Sequence, residues 1–403
     1  MTTGEKPLLS RVQLALSSAL SPFAMVVVAP LLPMMGRAYQ VEAAETQYAI
    51  SIYLFGLFIA QLVLGSLSDR FGRRRILIPS LTLYALMSVA CAYAPTFQML
   101  VIARFLQACG AAGTSATVRA SVHDVYRGDV AARYMTFIAM GHSLAHMLSP
   151  MIGGFVGEWM GIAGTFLVLA GLGVAMLIWA VTRMPETRKP PAEAGRFSVG
   201  HVLYTNFLVL REPVFFAYSA VYGLTGSGFF AFLAVAPGFF DSTFHISGPA
   251  FGLYWSYMSA AFLLAAMNGA RMVTLFGRRA LFNACLGASA VLGVAMPVIL
   301  MVFGVSPVTI VAPMVVACGL LGFTSPLSLS GAIASQPRMP GTASGLCGSL
   351  SMAYSGLFTI GAGLTYNGTA FTLVLPMSFS LITMALGAVA IHRLETTTAP
   401  ESA

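Results

Sequence analysis

Long, unalternating apolar runs dominate the chain, broken at short intervals by clusters of polar and turn-forming residues. A barrel strand would show apolar and polar positions in strict alternation over about ten residues, and no such stretch recurs. Each run instead has the roughly 20 apolar residues a helix needs to cross a hydrocarbon core. Twelve crossings are predicted, at about 12–35, 46–67, 76–95, 98–120, 132–156, 162–182, 213–238, 249–271, 280–303, 307–333, 341–366 and 370–392. Helices suit this setting because each satisfies its own backbone N–H and C=O groups in lipid.

Composition excludes the alternatives. Of 403 residues, 58% are hydrophobic and only 8% charged, and the mean hydropathy is +0.84. A soluble domain carries about 25% charged residues, and a disordered chain is more polar still. The charge that exists is sorted. With the N-terminus inside, every Lys and Arg except Arg37 and Arg104 falls in an inner loop or at an inner span end. That asymmetry predicts cytoplasmic termini. The +8 net charge is then a topology signal, and no soluble basic face offers itself to nucleic acid. A cleavable leader is not expected, since no small-residue cleavage site follows a short apolar core. The five cysteines (Cys91, Cys109, Cys285, Cys318, Cys347) all lie within predicted spans and read as small packing residues, not metal ligands or disulfides.

The longest polar connection, 184–212, contains K-P-P at Lys189 to Pro191 and divides the chain into bundles at 1–183 and 213–403. Two strings recur in corresponding places. F-G-R-R-R at Phe71 to Arg75 is echoed by F-G-R-R at Phe276 to Arg279, and A-C-G-A-A-G at Ala108 to Gly113 by A-C-G-L-L-G at Ala317 to Gly322. The expectation is an all-α membrane protein with twelve transmembrane helices in two pseudo-symmetric six-helix bundles. Paired repeats of this kind build secondary transporters, with the substrate site between them.

Gly65 to Arg75 reads G-S-L-S-D-R-F-G-R-R-R. Here the chain strongly resembles the major facilitator superfamily, whose loop between the second and third spans is G-x-x-x-D-R-x-G-R-R. Arg104 to Gly113 (R-F-L-Q-A-C-G-A-A-G) and Ser149 to Gly154 (S-P-M-I-G-G) are similar to motifs of its drug:proton antiporter branch, especially the bicyclomycin- and chloramphenicol-resistance exporters. Ser121 to Tyr126 resembles that branch's T-V-R-D-x-Y, with His123 in place of Arg. The resemblance implies a gating latch of Asp69, Arg73 and Asp124 closing on the helix that begins near Gly341. Arg70 belongs to the same motif. Gly65 is expected to let helices approach closely, and Gly72 to serve the turn. The S-P-M-I-G-G string (Ser149, Pro150, Gly153, Gly154) stands where the family carries its export motif.

Arg104 is the one permanent charge placed deep in a span, with Gln107 one turn on. Such an Arg costs about 2.5–3.5 kcal/mol on insertion scales and is expected to face the bundle interior. No Asp or Glu falls mid-span, and Val26 stands where the related exporters carry an acid in the first span. A cavity without a carboxylate disfavours cations. The candidate replacement proton carriers are His142 and His146, spaced i, i+4 on one face with Ser149, with Asp69 and Asp124 at the inner edge as the alternative acceptors. Lining is expected from Phe23, Met25, Tyr218, Tyr222, Phe230, Tyr254 and Tyr257, bends from Pro150 and Pro326, and close packing from the G-T-A-S-G run at Gly341 to Gly345. With no G-x-x-x-x-G-K-[ST] loop, ATP is not expected to drive transport. The reading is a monomeric, cofactor-free transporter of a bacterial-type inner membrane, exporting neutral or anionic amphipathic small molecules in exchange for protons. The alternative is an uptake symporter or uncoupled facilitator for an organic acid or other small metabolite.

Overall fold

In the computed structural model, which describes residues 10–126, 128–187, 199–246 and 248–398, the chain is almost wholly helical. The first crossing is α1 (Arg11–Val26) and α2 (Leu32–Tyr39), joined by a 3₁₀ turn at Ala29–Leu31. Pro30 lacks the N–H that would continue α1, so the helix unwinds and restarts there. After a short turn of helix, α3 (Ala43–Thr46), come α4 (Tyr48–Phe71), α5 (Arg73–Ala92) and α6 (Phe97–Val125). The long α7 (Gly128–Arg183) crosses twice, its two arms meeting at Gly161, whose φ of 69° no helix contains. Then follow α8 (Val199–Leu210), α9 (Pro213–Phe244), α10 (Gly248–Phe276), α11 (Arg278–Phe303), α12 (Pro307–Ala334), α13 (Pro340–Thr365) and α14 (Ala370–Thr398).

Ten of these stretches are long and apolar enough to cross a membrane. One of them, Arg133–Arg183, holds two crossings, and α13, with its many Gly and Ser, is long enough but less apolar. Together they make the twelve crossings read from the sequence, with α8 as an additional helix in the connection between the sixth and seventh. The K-P-P of that connection lies outside the described residues.

The echoed strings fold into the same turns. Gly72 (φ 100°) precedes α5 and Gly277 (φ 78°) precedes α11, both in a region that L side chains rarely adopt. The helices carrying the A-C-G strings open alike, on Thr96 and Ser306, whose hydroxyls accept from the N–H groups of Met99 and Thr309. Large apolar side chains cover the outside, among them Trp159, Val291, Met301 and Phe303, as a lipid-facing surface requires. The most enclosed crossings are α1 with α2 and α9. Across the two sets of six, α4 packs on α13 and α7 on α10.

Candidate functional site

Those two seams are tight over part of their length, and α4–α13 opens at one end. On the α7–α10 seam, a Cβ on Gly154 would meet the Gly248 carbonyl carbon at 2.6 Å, and one on Gly252 would meet Met151 Cα at 2.5 Å. Next along the seam, Trp255 Nε1 donates to His146 O (2.9 Å) and Ser256 Oγ to Met147 O (3.2 Å). On the α4–α13 seam, Gly363 is pressed on Gln47 and Gly356 on Phe55, while the Cβ position of Gly348 lies 3.8 Å from Gln61 Oε1. Beyond that, nothing lies within 4 Å of the Cβ positions of Gly65, Gly341 or Gly345. The close-packing roles expected of Gly65 and the G-T-A-S-G run are therefore not played in this conformation. The α4–α13 seam thus parts toward the face that carries the arginine-rich loops.

Just inside the Trp255 contact lies a cavity of about 230 Å³. His142, Ser143 and His146 reach it from α7, and Tyr222, Thr225, Phe229 and Phe230 from α9. From the other side come Ser259 and Phe262 of α10, Ser325 of α12, and Ser351 and Met352 of α13. The lining is aromatic and thioether in bulk, with hydroxyls and two imidazoles as its polar points, and includes no carboxylate among the described residues. The His142 and His146 rings lie 5.5 Å apart and His146 lies 6.1 Å from Phe230, as the i, i+4 spacing required. Ser259 Oγ, buried on this wall, has no hydrogen-bond partner among the described residues. A buried hydroxyl of that kind stands ready to bond a guest molecule or water.

Of the residues expected to line the site, Tyr222 and Phe230 do. Tyr218 lies instead in a separate cavity within the second bundle, Met25 is buried in the core, Tyr254 packs on Phe240 at 5.7 Å, and Tyr257 is exposed on the outside. Phe23 contributes its carbonyl, which accepts from Ser149 Oγ at 2.7 Å. The serine standing in the export-type motif thus anchors α7 to α1. Its neighbour Gly153 lies against the Val27 carbonyl, and the Pro150 carbonyl carbon is 3.0 Å from the Cβ position of Gly252. The string is a packing surface in which Gly153 meets the first crossing and Gly154 the eighth.

Arg104 is fully buried, but among helices of the first bundle and not on the cavity wall. Nε donates to Ala49 O (3.0 Å), and Nη1 to Ala24 O (2.9 Å) and Gln107 Oε1 (2.7 Å). Gln107 Nε2 passes the chain on to Ser88 Oγ at 2.7 Å. The guanidinium carbon sits 4.2 Å from the Tyr53 ring centroid, so a cation–π contact serves where a carboxylate would be expected. At 0% exposure, Arg104 does not reach the membrane interface. The cation near the cavity is Arg119, which the predicted span end at 120 had placed at the margin. Helix α6 runs on to Val125, so Arg119 sits half-buried within the crossing. Its charge acts on both His142 and Tyr222.

At the arginine-rich face Asp69, Arg73 and Asp124, the residues expected to form the latch, lie in contact. Arg73 contacts Asp69 Oδ1 (2.6 Å) and Asp124 Oδ2 (2.7 Å), and donates to Ser68 Oγ (2.7 Å). Arg70 stacks on Phe71 instead. Asp69 also borders a cavity of about 550 Å³ shared with Arg338, Gly341 and Thr342, so the partner helix α13 faces the latch across a gap. Sequence reasoning missed Glu186. Its carboxylate accepts from the Arg73 N–H (2.7 Å) and the Arg74 N–H (3.1 Å), capping α5 from 113 residues away. Glu186 Oε2 lies 2.6 Å from the Cβ position of Gly72, so glycine is needed there for space as well as for φ. Replacing Asp124 by Asn should cost roughly 1.5–3 kcal/mol, the range for hydrogen bonds to charged groups. The check is unfolding in detergent, and an unchanged transition would refute it.

A profile of the Major Facilitator Superfamily matches residues 14–359. A chloramphenicol resistance protein of Pseudomonas aeruginosa is 30% identical over 273 residues, 65% of this chain and 62% of that one. The aligned stretch thus spans under two thirds of that relative. A bicyclomycin resistance protein homolog of Haemophilus influenzae is 24% identical over 351 residues, covering 84% of this chain and 85% of its own. Among solved structures, a bacterial homolog of the human lysosomal transporter Spinster, crystallised inward-facing and unoccupied, superposes with a TM-score of 0.72. Its identity is 17%, with 96% of both chains covered.

Proposed function

The chain belongs to the Major Facilitator Superfamily, and from that premise we propose that it exports neutral or anionic amphipathic small molecules in exchange for protons. Membership makes it a multi-span membrane transporter of small molecules and not an enzyme. The finer reading places the arginine-rich loops and both termini in the cytoplasm of a bacterial-type cell, by the positive-inside bias. The seams then describe an inward-facing state, sealed outside by Gly154, Gly252 and Trp255. Transport follows from rocking one bundle on the other about the central cavity.

The observation that carries the proposal is the lining of that cavity. Aromatic and thioether surface suits an amphipathic body, and hydroxyls and imidazoles suit neutral or anionic polar groups. Arg119 adds positive potential, and the lining holds no carboxylate to offset a cation's desolvation. His142 and His146 are the assigned proton carriers, since they face the same space as the substrate and can exchange occupancy with it. Proteoliposomes with an imposed pH gradient test this. Chloramphenicol, the neutral compound in one relative's name, should move against its gradient and stop when the pH gradient is collapsed, whereas ethidium should not move. The second reading, uptake or uncoupled exchange of an organic acid, is favoured by the same lack of a carboxylate. It would show as uptake, or as pH-insensitive exchange.

Replacing both His142 and His146 by Gln should flatten the pH dependence of transport between about 5.5 and 7.5, the interval around the reference histidine pKa. A profile that keeps its shape in the double variant would move the proton to another group.

A further inference from the structure

A serine in a lipid-embedded helix ordinarily satisfies its hydroxyl on the carbonyl one turn back. Three near the central cavity do so. Ser227 of α9 donates to Gly223 O (2.8 Å), Ser256 of α10 to Gly252 O (2.9 Å), and Ser349 of α13 to Gly345 O (2.9 Å). Ser259 and Ser355 do not. Ser259 of α10, one turn beyond Ser256, lines the cavity at 7% exposure, and its Oγ bonds nothing among the described residues. Ser355 of α13 is fully buried and its Oγ is equally unpartnered. That oxygen lies 3.1 Å from the Cβ position of Gly226, a residue of the cavity wall, so glycine there leaves the hydroxyl room toward the cavity.

A buried hydroxyl without a partner costs stability, and here the cost is met twice around one cavity. Each hydroxyl can turn among three χ1 wells, so a guest can draw it into the cavity. A hydroxyl both donates and accepts, as a neutral imidazole does through its two nitrogens. No Asp, Glu, Lys or Arg stands on this wall among the described residues. Arg119 acts on His142 through its field and is not among the lining residues. A carboxylate or phosphate guest would bring acceptors only. A neutral molecule with hydroxyl or amide groups answers both halves of each serine.

Building on the export reading, we propose that Ser259 and Ser355 set the specificity of this cavity by holding the hydroxyl or amide groups of a neutral substrate. Its apolar body then lies against Phe229, Phe230 and Met352. The substrate class narrows from neutral or anionic to neutral and hydrogen-bonding. Full-length protein in detergent is titrated calorimetrically with three probes: chloramphenicol, its diacetate, in which both hydroxyls are capped, and its succinate ester, an anion. Wild type should bind chloramphenicol at least about tenfold more tightly than the diacetate, the order of two neutral hydrogen bonds. Ser259→Ala with Ser355→Ala should erase that preference by weakening chloramphenicol alone. Gly226→Ala, which crowds Ser355 Oγ, should erase part of it. Ser349→Ala, which removes a hydroxyl already satisfied, should stay within about twofold. The melting temperature of Ser259→Ala should rise, because an unpartnered buried hydroxyl is removed; a fall would show that the hydroxyl has a structural partner and overturn its assignment. A preference that survives the double variant, or a succinate ester bound more tightly than its parent, overturns the proposal and leaves export standing. If none of the three probes binds, both fall. Ser259→Ala alone serves if the double variant fails to fold, with an expected loss of about threefold or more.

Discussion

Replacing Arg104 by alanine is expected to abolish transport and to leave little folded protein in the membrane. The side chain donates to Ala49 O of α4, Ala24 O of α1 and Gln107 Oε1 of its own helix, and in alanine's place each loses that donor. Every buried acceptor so orphaned costs about 1–3 kcal/mol, and the vacated volume adds the further few typical of large-to-small core changes. Set against a typical total stability of about 5–15 kcal/mol, that loss is decisive. Arg104→Met separates the two effects, because it refills the volume without charge or donors. If the Met variant folds and transports at the wild-type rate, the guanidinium is a packing group only. If Arg104→Ala itself folds and transports normally, the network has no role.

The second large effect is expected at Gly252. A leucine there would be driven into the Met151 backbone, and no rotamer change relieves a clash with main chain. The α7–α10 seam could not close, so the orientation described here would be lost while the opposite one, with this seam parted, remained accessible. Transport should fall at least roughly a hundredfold, equivalent to about 2.7 kcal/mol, with the folded yield preserved. Flux in proteoliposomes and a melting curve in detergent measure the two halves of that statement. Normal flux through Gly252→Leu would mean that closure of this seam is not part of the cycle.

How far the sequence revealed these features depended on the range of the interaction. The crossings were legible because hydrophobic length is a local property, and the latch was legible because Asp69 and Arg73 share one dense motif. Arg104 was found by its oddity in an apolar run and Gln107 by its spacing, but Ala49 O and Ala24 O were not, since backbone carbonyls carry no residue identity. Glu186 was missed because a cap that reaches across 113 residues leaves no periodic trace. Arg119 was misplaced by an error of about five residues in the end of one helix. The lining aromatics fared worst. Which face of a helix looks inward is decided by its neighbours, so Tyr222 and Tyr257 are equivalent on paper and lie on opposite sides of the wall.

The sealed end of the molecule is held by glycine contacts, an indole and two small hydrogen bonds, and the ion pair found there, Arg37 with Asp241, is well exposed. Exposed pairs are worth at most about 1 kcal/mol and fade in electrolyte. The preferred resting orientation should therefore be indifferent to ionic strength, changing little between dilute buffer and molar sodium chloride. What it should respond to is steric: any added methyl group along that glycine track would shift the balance further than any salt.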